Sequence, residues 1–200
     1  MKLPRVYPIV DRAAWVARLA PLGVRLLQLR IKDQPDETLR AEIRRARYAC
    51  LATGVQLIVN DFWQLALDAG CDFVHLGQGD LDRADLPALR RSGVRFGIST
   101  HDEAELERAL ALEPDYVALG PIYPTLLKVM PWQPQGLARV SVWKRRVGAR
   151  PLVAIGGLTP ERLPGVFAAG ADVAAVVTDI LRDVNPEART QQWLAMAAAA

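Results

Sequence analysis

The sequence predicts an α/β fold, a single (β/α)8 TIM barrel spanning residues 1–200, on three observations. Eight short runs rich in Val, Ile, Leu and aromatics recur along the chain, none alternating cleanly with polar residues. Unbroken apolar runs of this kind suit parallel strands covered on both faces. Longer Ala/Leu/Arg/Glu segments separate them, and strands alternating with helices build parallel sheets. Finally, 200 residues over eight repeats gives about 25 per unit, near the lower size limit for a closed barrel. A doubly wound open sheet is the alternative, but the glycine-rich fingerprint expected after its first strand is absent.

The first strand is VYPIVD (6–11), followed by a helix over 12–20. VRLLQLR (24–30) is the second strand, and Asp36 opens the helix over 36–52 as a cap whose carboxylate can accept free backbone N–H groups. VQLIVND (55–61) leads into a short helix of about two turns, 62–69, and DFVHLG (72–77) into the helix at 84–91. VRFGIST (94–100) precedes 102–112, with Asp102 as a second cap. After the sixth strand, DYVALG (115–120), the surplus stretch GPIYPTLLKVMPWQPQGL (120–137) reads as a rim loop before the helix at 137–147. Its four prolines, Tyr123, Met130 and Trp132 suit an ordered cover over a site. PLVAIGG (151–157) leads to 160–169, with Thr159 as cap and Pro160 in the first turn. DVAAVVT (172–178) leads to the last helix, 187–196, and glycines at 23, 54, 70, 93 and 170 end helices just before strands.

A composition of 51% hydrophobic and 24% charged residues supplies a globular core and excludes a disordered or collagen-like chain. No apolar run reaches the roughly 18–20 residues that a membrane helix needs, so no membrane partner is expected. The apolar stretch before Asp11 and Arg12 is too short for a signal peptide. Cys50 and Cys71 form neither a disulfide scaffold nor a metal knuckle, and a reduced cytoplasm is the expected setting. The net charge of +3 comes from dispersed arginines with no aromatic-interleaved stripe, so nucleic acid is not an expected partner. The lysines are Lys2, Lys32, Lys128 and Lys144.

In a barrel of this class the C-terminal strand ends form the active-site rim. There the sequence gathers Gln28, Arg30 and Lys32; Asn60 and Asp61; Gln78 and Asp80; Ser99 and His101; Thr125 and Lys128; Gly156 and Gly157; and Thr178 with Asp179. Gln28, Arg30 and Lys32 are two residues apart, so an extended chain sends them to one side. They read as a phosphate or diphosphate site, or as a solvated strand exit. Asp61 and Asp80 could share Mg²⁺ through oxygen ligands, or merely cap the helices that follow. Gly156–Gly157 and Thr178 stand where the seventh and eighth exits commonly hold phosphate. Asp179 is awkward there unless it points away. His75, inside an apolar run, reads as a packed or hydrogen-bonded core histidine, and His101 as a helix entry.

These pieces resemble the thiamine phosphate synthase (thiamine-phosphate pyrophosphorylase) family from VYPIVD to VVTDI. The matching segments are LLQLRIKD (26–33), IVND (58–61), VHLGQGDL (74–81), GIST (97–100), DYVALGPIYPT (115–125) followed by Lys128, VAIGG (153–157) and GADVAAVVTDI (170–180). The resemblance implies a (β/α)8 barrel that condenses 4-amino-2-methyl-5-hydroxymethylpyrimidine diphosphate with thiazole phosphate. The products are thiamine phosphate and pyrophosphate. It further implies that Gln28, Arg30, Lys32, Asn60 and Lys128 contact the diphosphate. Asp61 and Asp80 would hold Mg²⁺, and Ser99 would lie near the diphosphate and the reacting methylene. Thr125, Gly157 and the backbone around Thr178–Asp179 would hold the thiazole phosphate. The mechanism implied is dissociative, with Arg30, Lys32, Ser99 and Lys128 at the leaving group and no protein nucleophile.

The chain departs from the family pattern at several positions. Leu127 replaces a threonine of the TxTK motif, and Asp179 adds a charge after Thr178 where a small residue is usual. Pro8 and Val10 replace the commoner leucine and threonine of the opening strand. These changes bear chiefly on the thiazole-phosphate half-site. Two other readings stay open: a thiazole tautomerase-like isomerase and a noncatalytic phosphate-ligand-binding paralogue. The tautomerases resemble a form with histidine after the glycine of the sixth exit, where this chain has Pro121.

Overall fold

The structure, a computed structural model, describes residues 2–125 and 132–200. Eight parallel strands close into a barrel in sequence order: β1 (Val6–Val10), β2 (Leu26–Leu29), β3 (Gln56–Asn60), β4 (Phe73–Leu76), β5 (Arg95–Thr100), β6 (Tyr116–Leu119), β7 (Leu152–Ile155) and β8 (Val173–Val176). Each falls inside one of the predicted runs. Closure is made by β8 returning to β1, with Val6 opposite Ala174 and Pro8 opposite Val176. Nearly every strand residue is buried, because helices cover the outside and side chains fill the inside.

Around the barrel run α1 (Ala14–Leu19), α2 (Asp36–Thr53), α3 (Trp63–Asp68), α4 (Gln78–Leu81), α5 (Leu86–Arg91), α6 (Glu103–Ala111), α7 (Gly136–Val147), α8 (Leu163–Ala168), α9 (Thr178–Leu181) and α10 (Pro186–Ala199). Two of these, α4 and α9, are single turns at strand exits that the sequence does not predict. Their four residues carry too little periodicity to read. Asp102 caps α6 by accepting the Glu105 N–H at 2.9 Å, as expected. Asp36 does not cap: Pro35 holds that position, and Asp36 sits in the first turn of α2, where its charge still suits the helix dipole. Thr159 precedes a 3-10 turn (Pro160–Arg162) without a side-chain capping bond.

The strands' two faces make two distinct cores. Outward residues such as Leu27, Val59, Leu76, Ile98, Leu119 and Ala154 pack under the helices. Inward residues Tyr7, Leu26, Ile58, Phe73, Tyr116, Val153 and Val173 fill the barrel. Side chains two residues apart share a face, so the next inward positions toward the C-terminal end are Gln28, Asn60, His75 and Ser99 on β2–β5. On β1 and β6–β8 they are Ile9, Ala118, Ile155 and Ala175. The inward row therefore turns polar on one half of the barrel and stays apolar on the other.

Candidate active site

Above this row lies a cavity of about 670 Å³ lined from every strand exit. Gln28, Arg30, Lys32, Asn60, Asp61, Asp80, Ser99, Thr125, Gly157, Thr178 and Asp179 all line it. The described site residues predicted from sequence thus come together in one cavity. Lys128 and Leu127 lie outside the described residues.

Arg30 and Lys32 extend the inward side of β2 onto the rim, and neither side chain forms a hydrogen bond or ion pair with a described residue. Across from them Asp61 sits at the turn after β3 with a positive φ of 64°. Its backbone N–H donates to the His75 carbonyl at 2.9 Å. Burial, then the nearby Asp80 carboxylate, pushes the Asp61 carboxyl up to about 6 against the pull of Lys32 and Arg30. Asp80 does cap α4, accepting the Gly77 N–H at 3.2 Å, and it reaches the exposed Arg83 at 3.4 Å. Capping and facing the cavity are compatible for this residue.

A carboxylate whose ionisation a neighbouring carboxylate disfavours suits a divalent cation shared between the two. No cluster of three or more His, Cys, Asp or Glu groups forms a metal cage among the described residues. A two-carboxylate site fits Mg²⁺, which keeps waters and substrate oxygens among its ligands.

On the opposite side, Gly156 and Gly157 have φ values of 99° and 64°. A Cβ at Gly156 would stand 2.7 Å from Pro121, and one at Gly157 would stand 2.4 Å from the Pro124 carbonyl oxygen. The glycine pair thus lets the strand-six loop lie directly on the strand-seven turn. There the Ile122 N–H donates to the Ile155 carbonyl at 2.9 Å and the Tyr123 N–H to the Gly156 carbonyl at 3.0 Å. The chain re-enters at Gln135, whose N–H donates to the Pro121 carbonyl and whose side chain donates to the His101 carbonyl, each at 2.8 Å. His101 stacks on Trp132 with centroids 5.4 Å apart and holds Glu105 at 2.7 Å. It is a helix-entry residue, as expected, and it also anchors the loop's return.

Asp179 turns its carboxylate away from the cavity toward α10. It accepts from Arg189 Nε at 2.8 Å and Nη2 at 3.0 Å, and from Trp193 Nε1 at 2.6 Å. Its charge is matched within the fold.

Sequence reasoning missed the polar chain beneath the cavity. Gln28 Nε2 donates to the Tyr7 hydroxyl at 2.8 Å, which meets the Tyr116 hydroxyl at 3.1 Å. Tyr116 meets His75 Nδ1 at 2.7 Å, and His75 Nε2 meets Ser99 Oγ at 2.7 Å. His75 is indeed a hydrogen-bonded core histidine, but one that lines the cavity. Burial and the Arg30 charge hold its protonated form off down to about pH 4. Burial also pushes the Tyr7 and Tyr116 hydroxyls well above the usual phenol range. The only signal in the sequence was register: His75 stands two residues beyond the inward Phe73.

Residues 6–180 match the family described as thiamine monophosphate synthase. The chain is 64% identical over 198 residues to the thiamine-phosphate synthase of Rhizobium etli, covering 99% of this chain and 97% of that one. It is 45% identical to the thiamine-phosphate synthase of Klebsiella pneumoniae, covering 97% and 92%. Among solved structures it resembles a thiamine phosphate pyrophosphorylase from Pyrococcus furiosus. There the TM-score is 0.86 at 22% identity, over 98% of this chain and 96% of that one.

Proposed function

The chain belongs to the thiamine monophosphate synthase family, and on that premise we propose how its cavity makes thiamine phosphate. The substrates are the aminopyrimidine diphosphate and thiazole phosphate, and the second product is pyrophosphate. The observation that carries the reading is the placement in one cavity of Arg30 and Lys32, which form no hydrogen bond or ion pair with a described residue, beside Asp61 and the Asp80 carboxylate that disfavours its ionisation. Neither half is electrostatically complete alone. A polyanion bridged by a divalent cation completes both.

Arg30 and Lys32 bind the diphosphate, with Asn60, Gln28 and Lys128 completing its contacts. Asp61 and Asp80 would hold Mg²⁺, which supplies charge neutralisation to the departing diphosphate when bound. The C–O bond to the pyrimidine methylene breaks with its electron pair leaving on the pyrophosphate oxygen. The electron-rich ring stabilises the resulting cation. The thiazole nitrogen then donates its lone pair to that carbon, forming the thiazolium without loss of a proton. Donors already aimed at the leaving oxygens favour the transition state because they need not reorganise as charge develops. Thr125, Gly157 and the Thr178–Asp179 backbone hold the thiazole phosphate, the second anion.

The test is turnover with both purified substrates. Pyrophosphate release should require magnesium, and Asp80→Ala should lower it at every magnesium concentration while leaving the fold intact. Full activity of that variant across a magnesium titration would remove Asp80 from the metal site. Folded parent protein that forms no thiamine phosphate under saturating conditions would reject the reaction itself.

A further inference from the structure

The hydrogen-bond chain under the cavity has a direction, and the direction decides what Ser99 offers to a substrate. Gln28 Nε2 can only donate, so the Tyr7 oxygen accepts from it. Tyr7 owns one hydrogen, and its other polar partner is the Tyr116 hydroxyl. Tyr116 must in turn give its single hydrogen to His75 Nδ1. A ring accepting at Nδ1 is neutral and carries its hydrogen on Nε2, which then donates to Ser99 Oγ. The Ser99 hydrogen is left without a partner along this chain, on a side chain that lines the cavity.

We propose that His75 is a positioning residue for the synthase reaction: it fixes Ser99 as a hydrogen-bond donor into the cavity, with the polarity set by Gln28 and passed through Tyr7 and Tyr116. The inference rests on the reaction proposed above, in which the oxygen that receives this hydrogen belongs to the diphosphate and gains charge as the C–O bond breaks. A donor held there strengthens its bond in the transition state more than in the ground state.

The geometry explains why the relay is so enclosed. Tyr7, Gln28 and Tyr116 are at most 2% exposed. The His75 ring stacks on Tyr116 with planes 13° apart, and Tyr7 meets Tyr116 edge-on at 88°. Gly97 makes this packing possible, since a Cβ there would lie 2.1 Å from the Tyr116 ring. Each buried hydroxyl has a partner on each side and one hydrogen to give, so reversing one bond requires reversing them all.

The opposite polarity is the alternative to defeat. It would require the Gln28 carbonyl oxygen to accept from Tyr7, would place the hydrogen on Nδ1, and would turn the Ser99 hydrogen onto the imidazole and away from substrate. The chain contains two histidines, His75 and His101, so long-range ¹H–¹⁵N spectra of the ligand-free protein decide the matter. A neutral His75 ring protonated on Nε2 at about pH 7 is expected. A ring protonated on Nδ1, or on both nitrogens, would overturn the proposal. Tyr116→Phe removes the hydrogen given to Nδ1 and should release the ring into a tautomer mixture; an unchanged spectrum also counts against it.

Kinetics supply the second arm. Ser99→Ala should lower kcat by roughly 100-fold, the usual effect of losing one such donor, with a much smaller change in KM. His75→Phe should lower kcat in the same sense, and the double variant should be no worse than Ser99→Ala within about twofold. Losses that multiply would show that His75 does not act through Ser99. His75→Gln, which retains a donor for Ser99, should recover part of the lost kcat. An inactive parent enzyme would count against the reaction alone, because the tautomer spectrum is read without substrate.

Discussion

Asp179 is the residue whose charge fits a phosphate site least well, and the fold answers by engaging it elsewhere. Replacing it with alanine removes three hydrogen bonds: two from Arg189 and one from the indole of Trp193. Trp193 is fully buried, so its N–H would lose its acceptor with no access to solvent, at a cost of about 1–3 kcal/mol. Arg189, 18% exposed, would keep Gln192 at 2.8 Å and Glu161 at 3.6 Å. Its partial exposure trims the penalty for the broken pair to about 1 kcal/mol. The sum, about 2–4 kcal/mol, corresponds to a drop in Tm of roughly 5–15 °C for a chain of this size. Asp179→Asn keeps an acceptor for the indole and should lose about half as much. Thermal and urea unfolding measure both variants, and the KM for thiazole phosphate at a temperature where each is folded should stay near the parent value. An Asp179→Ala protein within about 1 kcal/mol of the parent, or one whose KM for thiazole phosphate falls sharply, would mean that the carboxylate faces the ligand.

Two further outcomes follow from packing and charge. Gly97→Ala should destabilise the protein by about 1–3 kcal/mol and lower kcat as well, because its methyl would displace the buried Tyr116 ring and its bond to His75; parent-like urea midpoint and turnover would refute this. Asp61 holds its proton more tightly when folded, at about 6 against 3.8, so its contribution to stability is full below pH 3.8 and lost as pH rises through about 6. Metal-free Asp61→Asn should therefore exceed the parent in stability at pH 8 by roughly 1–2 kcal/mol, after allowance for solvent near this half-buried group. That advantage should vanish below about pH 4, and magnesium affinity of the parent should fall as pH drops through about 6. An Asn variant less stable than the parent at pH 8 contradicts the sign.

Much of the fold was legible because a parallel barrel repeats one local pattern eight times, and each apolar run ends where its strand does. The rim was legible for the same reason: Arg30, Asp61, Asp80 and Ser99 stand just at or beyond apolar runs, so strand ends alone locate them. Direction was harder to read. Asp179 stands at a strand exit in the sequence, yet its carboxylate belongs to Arg189 and Trp193, ten and fourteen residues on. His75 was harder still, since its partners Ser99 and Tyr116 lie 24 and 41 residues away. They meet only through the registers of β4, β5 and β6, where His75 pairs with Gly97 and Gly97 with Tyr116. No local spacing encodes that meeting. It depends on a glycine being the residue between them.

The same registers divide the cavity in a way that bears on the proposed chemistry. Arg30, Lys32, Asn60, Asp61, Asp80 and Ser99 come from β2–β5 and their exits, whereas the last inward residues of β1 and β6–β8, above Tyr7 and Tyr116, are Ile9, Ala118, Ile155 and Ala175. Heterolysis needs both kinds of wall. The departing diphosphate requires oriented charge on one side, which the first group supplies at no reorganisation cost. The cation left behind is consumed by any nucleophile that reaches it, and water would give the pyrimidine alcohol instead of thiamine phosphate. Apolar side chains offer water few hydrogen-bonding sites, so the second group favours capture by the thiazole nitrogen. Introducing a hydroxyl there, as in Ala118→Ser, should raise pyrophosphate release relative to thiamine phosphate formed. Strict equality of the two products in that variant would show that water is kept out by the bound thiazole itself and not by the wall.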